Sequence, residues 1–200
     1  MKPYSEACEE NKAPILEVLR DVFAGVRSVL EIGSGTGQHA VYFAQNLPGL
    51  VWQSSDLIVN LSGIQAWQGE AELPNLPPPI VLDVNRADWP VADVDAVFSA
   101  NTAHIMSWSA VQQMFAGVGR VLGTRGIFAL YGPFSYGGCH VSVSNARFDA
   151  WLRERDPASG VRDFDALNTL AEAADLRLMR DFEMPVNNRT LVWRRREAGG

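Results

Sequence analysis

Glu31, Gly33, Ser34, Gly35 and Gly37 crowd together where the apolar run Val29-Leu30-Glu31-Ile32 meets a helical pattern. Glycines on alternate positions can take positive φ, and without Cβ atoms they let the main chain approach a ligand; the helix behind them starts with unpaired N–H groups. A dinucleotide fingerprint counted from Gly33 would put its third glycine at position 38, which is Gln38. Glu31 argues the same way, because a carboxylate at a strand end repels a pyrophosphate but accepts hydrogen bonds from an ammonium. The indicated chemistry is capture of a ligand with a cationic end. His39, in the first turn of the helix, either contacts that ligand or serves as a cap.

S-adenosylmethionine carries such an ammonium, and the pattern Glu31-x-Gly33-x-Gly35-x-Gly37 resembles motif I of the class I methyltransferases. Asp56, 25 residues after Glu31 and at the expected end of the second strand, is placed to accept from both ribose hydroxyls; its alternative is a loop acid or helix cap. Asp83 accepts from an adenine amino group while Val84 packs on the ring, a pairing typical of this fold, or it is a turn acid. Asn101, where the strand order should reverse, faces the methionine end or caps a turn.

Methyl transfer from a sulfonium needs proximity and alignment, with a base only when the acceptor carries a proton. His104 is the first candidate for that base or for a substrate-orienting donor, with a hydrogen-bonded structural histidine as the alternative. Tyr131 and Asn145 can orient a polar substrate in an uncharged crevice, or satisfy backbone groups. Asn187-Asn188 reads as a hairpin turn, residues 133–138 as a lid, Trp108 and Phe134 as water-excluding walls, and His140 as exposed. Arg153, Arg155 and Arg162 offer an anion site unless Asp156 and Asp163 pair with them at the surface.

These residues must be carried on an α/β frame. Strands are expected near 26–32, 50–54, 80–83, 95–100 and 126–131, alternating with helices near 37–45, 64–67 and 108–122, the last closed by Gly123. A leading helix spans about 9–24, entered through Asn11-Lys12-Ala13-Pro14; further helices cover 148–155 and 164–174, and strands near 176–183 and 190–195 close the sheet as an antiparallel hairpin edge. The expected architecture is a Rossmann-like, seven-stranded, mostly parallel sheet with helices on both faces and an antiparallel last strand, in one domain over residues 1–200. Residues 197–200 read as a frayed end.

The 200 residues are 47% hydrophobic and 20% charged with a net charge of −6, which disfavours a broad phosphate-binding surface and so a nucleic-acid partner. Two cysteines without a C-x-x-C pair suggest neither a disulfide framework nor a metal site, and the polar start has no signal-peptide core; the expected place is the cytoplasm. The uncharged stretch 96–119 is interrupted by Asn101, His104 and Gln112, so no membrane span is expected. No Asn-Pro-Pro-Tyr element follows the fourth strand, which favours a small-molecule acceptor.

Over nearly its full length the chain resembles the group of small class I methyltransferase-like proteins that includes methyltransferase-like protein twenty-six. The resemblance rests on Gly37-Gln38-His39-Ala40, Trp52-Gln53-Ser54-Ser55-Asp56, Leu82-Asp83-Val84, Tyr131-Gly132-Pro133-Phe134, Ser144-Asn145 and Asn187-Asn188, among others. It implies the fold and S-adenosylmethionine binding, with S-adenosylhomocysteine as product, and names no substrate. The alternative within the same fold is a catalytically silent cofactor-binding or interaction protein. Gln38 and Glu31 together disfavour a nicotinamide oxidoreductase.

Overall fold

The apolar run ahead of the glycines forms β1 (Ser28–Ile32), whose side chains alternate between two cores: Val29 enters one, Leu30 and Ile32 the other. The computed structural model describes residues 2–197. Around β1 the chain runs α1 (Glu6–Val22), then α2 (Gln38–Asn46), β2 (Val51–Asp56), α3 (Leu61–Ala71), β3 (Ile80–Val81), β4 (Val94–Ala100), α4 (Trp108–Val121) and β5 (Leu122–Gly132). There follow β6 (Phe134–Tyr136), β7 (Cys139–His140), α5 (Val143–Arg155), β8 (Arg162–Asp163), α6 (Phe164–Ala173), β9 (Leu176–Met184) and β10 (Asn188–Arg195), with a 3-10 turn at Pro185–Asn187 between the last two.

Seven strands form one sheet in the order β3-β2-β1-β4-β5-β10-β9. The first five are parallel, and β10 runs antiparallel between β5 and β9. This is the expected α/β plan. The edge is a hairpin whose later strand lies inside, so β9 and not β10 is outermost. On one face α1 and α2 bury Ile15, Leu19 and Phe43 against Trp52, Phe98 and Ala129. On the other α4 and α6 bury Val111, Phe115 and Leu167 against Leu30, Phe128 and Trp193.

Several boundaries differ from the sequence reading for identifiable reasons. Helix α1 begins at Glu6, ahead of the Asn11–Pro14 entry, because Ser5 caps it and the Gln38 side chain bonds both the N–H and the carbonyl of Ser5 at 2.6 and 3.2 Å. Pro14 therefore lies inside the helix. Gly123 does not close α4: the chain turns straight into β5 at Leu122, and the left-handed residue is Arg125 (φ 63°), where the pairing of β4 with β5 jumps from Val94–Leu122 to Ala96–Ile127. Helix α5 starts five residues early, at Val143, since the Ser142 hydroxyl accepts from the Asn145 N–H.

The proposed lid is replaced by structure. Residues 134–136 form β6, with Phe134 and Ser135 buried, in a three-stranded sheet of order β7-β6-β8 that the sequence reading lacked. Of the expected frayed end, residues 198–200 lie outside the described residues. No helix among the described residues is long and apolar enough to cross a membrane.

Candidate active site

Strand order reverses between β1 and β4, and the loops leaving their carboxyl ends define the crevice where an open parallel sheet binds ligands. The Ser55 carbonyl accepts from both Gly33 and Ser34 N–H at 3.0 Å, pinning the glycine turn to β2. All three glycines have positive φ. A Cβ on Gly33 would stand 2.5 Å from the Thr102 methyl and one on Gly37 2.9 Å from the Ile64 backbone, whereas one on Gly35 would meet no atom within 4 Å. Gly33 and Gly37 are therefore required by packing; Gly35 faces open space.

Asp56 ends β2 and holds this turn. Its Oδ2 accepts from the Gly35 N–H at 2.7 Å, and its Oδ1 accepts from Leu57 N–H and the Asn60 amide at 2.7 and 2.8 Å. Oδ1 is thereby filled, and Oδ2 keeps room for one further donor. Asp83 is next to that strand end, since Leu82 N–H donates to the Asp56 carbonyl, and its Oδ1 accepts twice from Asn85 in an Asx turn. Val84 is buried in the core on the α4 side.

Glu31 is 2% exposed and faces the α1–α2 side of the sheet. Its Oε2 accepts from the Ser34 hydroxyl at 2.8 Å and from Trp52 Nε1 at 3.0 Å. Both partners are neutral. Burial pushes its pKa from 4.5 to about 7, those two hydrogen bonds work downward, and the Asp56 charge adds a smaller upward push. Across the reversal point Asn101 sits in the left-handed region (φ 58°) with its N–H on the Tyr131 carbonyl, and Thr102 bonds the Ser99 hydroxyl at 2.6 Å.

His104 follows in the same loop, 6% exposed, edge-on to Phe148 of α5 and beside Gly132. Burial, and secondarily the Arg162 charge, lower its pKa to about 4, so it is neutral at physiological pH. No hydrogen bond to its ring contributes to that shift. Arg162 is not an anion site: its buried guanidinium donates to the carbonyls of Ala103, Met106 and Ala158 and so fastens the loop that carries His104. Arg153 pairs with Asp149, not with Asp156, and Arg155 lies over Trp151.

Tyr131 lies on the α1–α2 face, its phenolic oxygen accepting from the Asn188 amide at 3.0 Å, and burial raises its pKa. His39 points away from the glycine turn, with Nε2 2.7 Å from Asn11 Oδ1 and its ring stacked on Phe43; burial lowers its pKa to about 4. Asn145 is in the first turn of α5 and donates to the Asn187 carbonyl at 3.1 Å. The positive-φ turn residues are Val186 and Asn187, and Asn188 already belongs to β10. Phe134 is buried in the core, against which Trp108 packs half-buried. His140 is not exposed: it sits half-buried on β7 with Nε2 3.5 Å from Asp149. Among the described residues no His, Cys, Asp and Glu cluster is suited to a metal.

One continuous set of contacts thus joins Asp56, the glycine turn, Thr102 and Asn101, Tyr131, Asn188 and Asn145 along the carboxyl ends of the strands. Residues 2–195 match a family described as proteins of unknown function, DUF938. The chain belongs to that family. Its fold is similar to that of an O-methyltransferase family protein from Burkholderia thailandensis (TM-score 0.80, 14% identity, 94% of this chain and 57% of that one). It is also similar to the S-adenosylmethionine-dependent methyltransferase SibL (0.80, 18%, 94% and 55%) and to PigF with SAH (0.77, 14%, 92% and 61%). The DUF938 chain spans little more than half the length of these structures.

The sequence reading gave no site role to Trp52, Thr102, Asn60 or Asn11, and gave Arg162 a different one. Trp52 alone left a signal: it pairs with Val29 in register, on the face that Glu31 shares two residues on.

Proposed function

We propose that this DUF938 protein is an S-adenosylmethionine-dependent methyltransferase acting on a small molecule. The observation carrying the proposal is the Glu31 carboxylate, buried beside the glycine turn with only neutral partners. A buried carboxylate of this kind is relieved by a cation, and the ligand's ammonium supplies one. The open space at Gly35 and the remaining capacity of Asp56 Oδ2 suit a ligand lying across the turn, with Asp83 at its adenine end. Kinship with the methyltransferase-like protein twenty-six group is part of the same proposal.

When bound, the cofactor supplies a methyl carbon already activated by a sulfonium. Asn101 aligns the methionine end at the strand reversal. His104, neutral and with no hydrogen bond to its ring contributing to its pKa among the described residues, takes the acceptor's proton; a weak base is enough, because the acceptor atom becomes strongly acidic as its new bond forms. Tyr131 and Asn145 orient the acceptor.

Calorimetric titration with S-adenosylmethionine, S-adenosylhomocysteine and NAD tests the cofactor: the sulfur ligands are expected to bind, adding about 2.7 kcal/mol of stability at 100 times their dissociation constant. Binding of NAD alone would refute the assignment. Labelled methyl transfer to a metabolite extract separates an enzyme from a silent binder.

A further inference from the structure

The Glu31 carboxylate, which is to meet the cofactor's ammonium, is only 2% exposed, so a ligand reaches it after something covering it has moved. Much of the cover is fixed. Trp52 belongs to the core, and the glycine turn is pinned by the Ser55 carbonyl and by Ile64 against Gly37. The first turn of α1 lies there too. The Gln38 Oε1 that accepts from the Ser5 N–H also accepts from the Thr36 hydroxyl at 3.0 Å, which joins the start of α1 to the glycine turn. Cys8, half-buried in that first turn, has its thiol pKa raised by burial and, to a lesser degree, by the charge of Glu31.

Residues 2–14 are attached differently from the rest of α1. Each of them is exposed or half-buried, whereas Ile15, Leu16 and Leu19 are core. Their attachments are mostly polar. Gln38 takes both main-chain groups of Ser5 and donates to Glu9 at 2.7 Å, and His39 meets Asn11. Farther out, the Lys2 ammonium pairs with Glu70 and lies 3.6 Å over the Trp67 ring of α3, while Trp67 Nε1 donates to the Pro3 carbonyl at 2.7 Å. Between the polar part and the anchored part stands Pro14, which has no N–H to offer the Glu10 carbonyl, so the helix is weakest at that junction. A segment with polar ties and few buried apolar contacts opens locally at low cost.

We infer that residues 2–13 are a hinged strap over the cofactor site and that Gln38 is the positioning residue that latches it: the strap swings about Pro14 to admit the ammonium to Glu31 and closes behind the bound cofactor, a role that rests on the methyltransferase reading. Cys8 reports the state of the strap. The test follows maleimide labelling of Cys8 in the full chain carrying Cys139→Ser, which removes the exposed second thiol. Saturating S-adenosylhomocysteine is expected to slow that labelling about tenfold or more, since a ligand held under the strap favours the closed form. Gln38→Ala should speed both Cys8 labelling and S-adenosylhomocysteine release by about tenfold. Lys2→Ala, which cuts a tie on α3 away from the glycine turn, should move both rates in the same direction but less steeply. A purely structural Gln38 would lower the melting temperature and leave release unchanged. Labelling indifferent to bound S-adenosylhomocysteine, or labelling or release unchanged in both variants, would overturn the inference. Failure of S-adenosylhomocysteine to bind would instead overturn the cofactor reading, while the labelling rates of the two variants still judge the strap.

Discussion

Glu31→Gln should make the cofactor-free protein more stable, and only at neutral to alkaline pH. In the native state the carboxyl holds its proton up to about 7, against 4.5 ordinarily. The folded form therefore binds more protons than the unfolded form between those values, and stability falls as pH rises through that window. The loss is about 3 kcal/mol, complete above pH 7 and under about 1 kcal/mol at pH 5. Glutamine is uncharged and keeps an oxygen that can accept from Trp52 Nε1 and the Ser34 hydroxyl, so it preserves those hydrogen bonds without the ionisation penalty. Urea denaturation of both proteins at pH 5.0 and 8.5, without ligand, is the assay. The variant should be close to the parent at pH 5.0 and about 3 kcal/mol more stable at pH 8.5, roughly 6–12 °C in melting temperature for a chain of this size. The same variant should lose tenfold or more in S-adenosylhomocysteine affinity, since the buried charge that meets the ammonium is gone. A variant less stable than the parent at pH 8.5, or a difference independent of pH, would refute the account of Glu31.

The glycines should separate by readout. Gly35→Ala is expected to cost about 1 kcal/mol in stability from its left-handed φ but much of the cofactor affinity, while Gly33→Ala, blocked by the Thr102 methyl, should unfold at far lower urea. Arg162→Met leaves the Ala103, Met106 and Ala158 carbonyls without their donor, and a loss of about 3 kcal/mol or more is expected in denaturation, with cofactor binding largely kept. His104→Ala should leave S-adenosylhomocysteine titration near the parent while lowering labelled methyl transfer by about 10²–10⁴; weakened cofactor binding with unchanged transfer would reverse the division of roles.

The parts legible in sequence are those whose cause is local. The glycine turn, the acid before it and the alternation that buries Leu30 and Ile32 all lie within a few residues of one another, so spacing alone reveals them. Helix α1 was mislocated because its true start depends on Gln38, 33 residues away, whose side chain completes the Ser5 cap. The small sheet of β6, β7 and β8 was invisible for a related reason: its strands are two or three residues long, and β6 pairs with β8 across α5.

The candidate site divides along the same line. An acid at a strand end follows from topology, which is why Asp56 could be placed; the strand expected over 80–83 stops at Val81 and leaves Asp83 in the turn beyond it. What each carboxylate already holds was not legible, because Asn60 and Asn85 are recruited by the fold of the loop. His104 and Arg162 show the greater difficulty. In sequence one was a candidate base and the other a candidate anion binder or surface ion-pair partner, yet packing sets the two side by side, buries both, and uses the cation to tie down the loop that carries the base. Burial together with that neighbour keeps His104 neutral, so Arg162 acts on the proposed chemistry without touching the acceptor. Removing its charge should accordingly raise the His104 pKa as well as loosen the loop. NMR titration of the histidine in Arg162→Met would register that rise only if the two residues are coupled as the structure has them.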